Sequence, residues 1–112
     1  MKEKMKELMA GSKAFAEYCP EAAQKFNDFS ATALQPGSID AKTKELICLG
    51  MGIISHCAHC IGAHTMKCYK AGASTQELME VGALALYMGG GPSKAYIAEL
   101  KKAIDLFEGQ QS

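Results

Sequence analysis

The stretch ELICLGMGIISHCAHCIGAH, residues 45 to 64, holds all three histidines of the chain and three of its five cysteines. Its first half continues a helical pattern that Asp40 is well placed to cap. In that helix Leu46, Ile47, Gly50 and Ile54 can face a neighbour, and Gly50 with Gly52 permits a close backbone approach. A break is expected near Ser55 and His56. A second helix then begins at about Cys57 and stops at Gly72, a residue suited to the left-handed conformation that ends many helices.

Helical spacing continues on both sides of this stretch. Upstream, Met5, Leu8, Met9, Phe15 and Ala16 recur at that spacing until Pro20 ends the pattern, and a second amphipathic run carries Ala23, Phe26 and Leu34. Helices are therefore expected over residues 2–35, before the turn QPGS. Downstream, Ser74 and Glu77 stand in capping-box spacing and open a helix whose segment VGALALYM is apolar on nearly every side. Either a second subunit covers part of it or it is the central core helix of a monomer. GGGP reads as a flexible corner. A final helix from Ser93 to Glu108 turns Ile97, Leu100, Ile104 and Phe107 inward, with Gly109 at its end. There is no strand pattern, tandem repeat or linker, so the expected fold is all-α, a single domain of about six helices over residues 1–112.

The totals narrow the function classes. A chain of 112 residues with 48% hydrophobic and 21% charged residues is an ordinary globular domain. Twelve acids balance twelve bases, so no broad field draws nucleic acid or an anionic membrane, and Lys2, Lys4 and Lys6 read as a solvated helix face. All twelve bases are lysine, which removes the guanidinium fork that usually captures carboxylates bidentately. No segment approaches the roughly 20 apolar residues of a membrane span, and the opening MKEKMKELMAG lacks a signal peptide's apolar centre. The expectation is a cytoplasmic protein. Five cysteines, odd in number and not spaced as a disulfide framework, then read as thiols.

Cys57, Cys60 and His64 lie at i, i+3 and i+7 and share one helix face. Thiols at a helix start sit beside unpaired amides and the positive end of the dipole, which stabilises thiolate. His64, one turn beyond Cys60, can accept the thiol proton, and Glu45 on the preceding helix is the obvious acid to orient it. Metal ligation is the rival, since Cys57, Cys60, His64 and Cys68 are all zinc-type ligands. Helical rise sets Cys57 and Cys68 roughly 16 Å apart, too far for one ion. The plainest alternative is that such cysteines are small buried hydrophobes, and for Cys19, Cys48 and Cys68 that reading is preferred.

Glu45, eleven residues, Cys57, two residues, Cys60, three residues and His64 together resemble the signature of the alkylhydroperoxidase D (AhpD)-like branch of the carboxymuconolactone decarboxylase family. His59 matches a further histidine of that pattern. The likeness spans about residues 40–107, including AGASTQEL and the apolar helix with its glycine-rich corner. It implies an all-helical fold built around a helical hairpin and assembled as a homo-oligomer, a hexamer or trimer, with the active site near subunit contacts. No metal and no other cofactor is expected. The chain departs from the best-known AhpD proteins in carrying one short domain where they carry a duplicated fold.

Thiol peroxidase or disulfide-exchange activity is also implied. By position, Cys60 resembles the peroxidatic thiol, Cys57 the thiol that resolves it, Glu45 and His64 the proton relay, and His59 a supporting member. The substrate implied is a hydroperoxide or a disulfide, with an external dithiol of thioredoxin, lipoyl or small-thiol type as reductant. Helix-end logic favours Cys57 as the thiol that meets a disulfide, so the order of the two thiols stays open. Three other functions remain: a disulfide oxidoreductase with little peroxidase activity, a lactone decarboxylase, and a non-enzymatic redox sensor. The decarboxylase suffers from the missing arginine and has no task for a CxxC pair.

Overall fold

Each helix boundary in the computed structural model, which describes the backbone of residues 1–111 and the side chains of residues 1–109, has a local cause. The helices are α1 (Lys2–Tyr18), α2 (Pro20–Leu34), α3 (Ala41–Ile54), α4 (Ala58–Lys70), α5 (Thr75–Gly89) and α6 (Gly91–Gln111). No strand occurs among the described residues. Pro20 ends α1 and occupies the first turn of α2, where its missing N–H costs nothing. The Asp40 carboxylate accepts the Thr43 amide at 2.7 Å and starts α3. Ser74 and Glu77 form both arms of a capping box on α5, at 3.1 and 2.9 Å.

Helix α4 ends in a Schellman motif. Gly72 has φ +94°, its N–H reaches the Tyr69 carbonyl, and the Ala73 N–H reaches that of Cys68, both at 3.0 Å. The GGGP segment makes a tight corner. Only Gly90, at φ +74°, separates α5 from α6, because Pro92 is tolerated in a first helical turn and lets α6 begin two residues before Ser93. A side chain at Gly89 would collide with Ser93.

Helices α3 to α6 enclose the core, in which α3 packs on α4 and α5, and α6 packs on both of those. Leu49, Ile53, Ile61, Leu78 and Leu100 are fully buried, each contributing about 1.5–3 kcal/mol of burial free energy. Tyr69 and Phe107 stack at 3.8 Å, joining the ends of α4 and α6. The inward face of α3 is Glu45, Leu49, Gly52 and Ile53, whereas Ile47 and Ile54 point outward. Since that helix is apolar on nearly every side, periodicity could not select between the two stripes.

The two N-terminal helices form an arm laid on this unit, α1 against α4 and α2 against α1. Lys44 reaches back to the carbonyls of Ala33 and Gln35, at 2.9 and 2.6 Å, and so closes the C-terminal end of α2. Neither α1 nor α2 contains a buried residue, and Phe15, Phe26 and Phe29 are exposed. The segment VGALALYM buries only Gly82 and Ala85, leaving Leu84, Tyr87 and Met88 exposed. Within one chain it is not an all-round core helix. No helix among the described residues is long and apolar enough to cross a membrane.

Candidate functional site

The turn between α3 and α4 brings the chemistry of residues 45–64 together. Gly52 makes the approach possible, since a Cβ there would stand 3.2 Å from the Cβ of Cys60 and 3.5 Å from the Ile61 nitrogen. The chain then reverses through His56, which adopts φ +57°, a conformation rare for a residue with a side chain. Its ring stacks on Tyr96 at 4.5 Å, and the Cys57 amide returns to the Gly52 carbonyl at 3.0 Å. Cys57 is thereby the N-cap of α4 rather than its first helical residue.

That position gives the two thiols different surroundings. The Cys60 amide donates to the Cys57 sulfur at 3.1 Å, so Cys57 Sγ takes the capping place usually filled by an oxygen. Cys57 and Cys60 are joined by a disulfide with Cα atoms 5.2 Å apart, and both are partly buried. An amide donor and the positive end of a helix, both beside the Cys57 sulfur here, are the two features that favour a thiolate at such a position.

Behind the pair, Glu45 Oε1 stands 3.5 Å from His64 Nδ1 across the α3–α4 interface. Glu45 is only 7% exposed, and neither of its oxygens nor that nitrogen has a hydrogen-bond partner. The distance is that of an ion pair rather than a hydrogen bond. Cys48, one turn after Glu45, completes a group in which Glu45, Cys48 and His64 offer ligand-type atoms all within 4.8 Å of one another. Burial and the Glu45 carboxylate both push the Cys48 thiol up. Burial, then Glu45, pushes the Cys68 thiol up to about 12, so Cys68 stays protonated and inert.

His59 faces the other way. Its Nε2 lies 3.5 Å from Glu7 Oε2 on α1, away from the Glu45–His64 pair. With Cys57 and Cys60 it lines one end of a groove of about 750 Å³ between α1 and α2, whose walls include Leu8, Phe15 and Phe26. Of the five residues singled out in the sequence, the structure thus joins Cys57 to Cys60 and brings Glu45 to His64, while His59 pairs with Glu7. Sequence reasoning missed Cys48, which it read as a buried hydrophobe. The signal was its spacing of three from Glu45, which sets both on one face of α3.

The family model described as carboxymuconolactone decarboxylase matches residues 20–103. A crystal structure of a carboxymuconolactone decarboxylase family protein of Legionella pneumophila, in its apo form, superposes with a TM-score of 0.90 at 35% identity, covering 95% of each chain. A Thermotoga maritima protein of the same family, for which a part in an antioxidative response has been suggested, superposes with a TM-score of 0.77 at 28% identity over 96% of this chain and 90% of its own. A Cupriavidus necator protein is 31% identical over 108 residues, 96% of this chain and 93% of its own length.

Proposed function

This chain belongs to the carboxymuconolactone decarboxylase family, and from that premise we propose that it is a thiol-dependent hydroperoxidase of the AhpD-like kind. The observation that carries the proposal is the disulfide-bonded Cys57–Cys60 pair at the start of α4, with His64 one turn beyond Cys60 on the same helix and paired with Glu45 of α3. The suggested antioxidative role of the Thermotoga relative points the same way.

In the proposed cycle His64, held by Glu45, takes the proton of Cys60. The Cys60 thiolate attacks the distal oxygen of a hydroperoxide, the O–O bond breaks, and the departing alkoxide takes a proton to leave as alcohol. Cys60 becomes a sulfenic acid. The Cys57 thiol condenses with it, releasing water and forming the disulfide. An external dithiol then attacks the disulfide, passes through a mixed disulfide and leaves oxidised, restoring both thiols. His59 and Glu7 form the rim where substrate or reductant enters the groove. The external reductant is of thioredoxin, lipoyl or small-thiol type. No nucleic acid or membrane takes part, and the cycle belongs in the cytoplasm.

One contact favours a second reading, disulfide exchange without much peroxidase activity. The amide of Cys60 points at the sulfur of Cys57, which makes Cys57 the thiol prepared to meet a partner's disulfide. Both readings fit one enzyme in which Cys60 meets peroxide and Cys57 meets the reductant. A homo-oligomer, trimer or hexamer, is part of the proposal, because α1 and α2 bury none of their own side chains within one chain.

Trapping the sulfenic acid with a dione probe tests the assignment. The Cys57→Ser protein, treated with hydroperoxide, should carry the probe on Cys60, and the Cys60→Ser protein should carry none. Equal labelling of the Cys60→Ser protein would refute the role given to Cys60.

A further inference from the structure

The proposed cycle leaves Cys48 without a task, yet its sulfur shares a space with two groups whose facing atoms make no hydrogen bond. Glu45 Oε1 and Oε2 and His64 Nδ1 are buried with no hydrogen bond, and the Glu45 side chain is only 9% exposed. A carboxylate withdrawn from water in this way is costly unless something compensates it. The arrangement has three donors of different kinds, an oxygen, a nitrogen and a sulfur, all within 4.8 Å of one another. Tetrahedral zinc, with bonds of about 2.0–2.3 Å, sets its ligands roughly 3.3–3.7 Å apart. The Glu45–His64 distance of 3.5 Å already meets that requirement. Side-chain movement on the order of 1 Å closes the rest, well within rotamer adjustment.

We infer that Glu45, Cys48 and His64 form a binding site for one thiophilic divalent cation of the zinc class. A thiolate and an imidazole exclude magnesium and calcium, which take oxygen ligands. The Glu45 carboxylate and the Cys48 thiolate together carry two negative charges against the cation's two positive ones, and the proton of Cys48 leaves to solvent on binding. Lys67, whose charge also acts on Cys48 and favours its thiolate, is solvent-exposed. Three protein ligands leave a fourth position for water. The site is distinct from the Cys57–Cys60 pair, whose sulfurs are bonded to each other.

The consequence rests on the peroxidase reading: a cation on Glu45 and His64 removes the proton relay while leaving the thiol pair intact. Zinc would then switch the enzyme off reversibly.

Binding is tested separately from turnover, on the full chain with its Cys57–Cys60 disulfide closed and no peroxide present. Cobalt(II) serves as the probe. The expected result is one cation per chain with a thiolate-to-cobalt charge-transfer band, lost in Cys48→Ser and kept in Cys68→Ser and Cys19→Ser. A measurement without any variant accompanies it: zinc should slow alkylation of Cys48 in the native sequence and leave that of Cys19 unchanged. No band, a band that survives Cys48→Ser, or alkylation of Cys48 indifferent to zinc would each overturn the site. None of these outcomes bears on the peroxidase cycle, which requires the reduced pair.

Discussion

His64 Nδ1 faces Glu45 Oε1 at 3.5 Å across the contact of α3 with α4, and neither atom has a hydrogen bond elsewhere. A positioned base of this kind contributes typically 10²–10⁴-fold to a proton transfer. Glu45→Gln, which preserves shape and removes charge, should therefore slow hydroperoxide-driven loss of thiols by about 10²-fold while the helical circular-dichroism spectrum stays unchanged. Thiol loss at the native rate would remove Glu45 from the mechanism.

The contact of Gly52 with Cys60 sets how closely α3 and α4 lie. A side chain at position 52 meets the Cβ of Cys60 at 3.2 Å and the backbone nitrogen of Ile61 at 3.5 Å, and a backbone cannot step aside as a side-chain end can. Gly52→Val should destabilise the fold by about 1–3 kcal/mol, the usual cost of overpacking. Urea unfolding measures it, and an unchanged midpoint would contradict the close packing.

Asp40 supplies a pH-dependent contribution. Its hydrogen bonds to Thr43, the backbone one first, hold its carboxyl below the ordinary value of 3.8. A carboxyl with a depressed value stabilises the fold above its unfolded value and loses that contribution as pH falls through the folded one. Asp40→Ala should therefore lower the melting temperature at pH 7, and the gap between variant and native protein should shrink as the pH is taken below 3.8. A gap that stays constant down to acid pH would contradict the cap.

Much of this was legible in the chain because its signals are local. Asp40, Ser74 with Glu77, and Gly72 mark helix ends by chemistry that acts over a few residues, and each does in the structure what its type suggests. The three-residue spacing of Cys57 and Cys60 is local in the same way, and the structure joins their sulfurs. What escaped depends on distant neighbours. Cys48 joins Glu45 and His64 only because α4 folds back on α3. His59 turns to Glu7, some fifty residues away, through a contact between α1 and α4 that periodicity does not report. Phe15 and Phe26 recur at helical spacing yet are exposed, since an amphipathic stripe says only that something covers it, not whether that something is the same chain.

The outward face of α3 and α5 bears on that last point. Leu84 and Met88, 66% and 74% exposed, join Met51 and Ile54 along an apolar groove of about 320 Å³. If subunits meet there, light scattering will give a mass several times that of one chain, and Leu84→Asp will reduce it. A native protein that runs as a monomer would contradict the proposed assembly.

The most direct measurement of the central claim is a titration of fully reduced protein with one equivalent of hydroperoxide, counting free thiols and mapping any new bond by mass spectrometry. The account predicts that five free thiols fall rapidly to three, with a single bridge between Cys57 and Cys60. If five thiols persist while the same bridge forms readily from a disulfide donor, the protein is an exchange catalyst and the peroxidase claim is wrong.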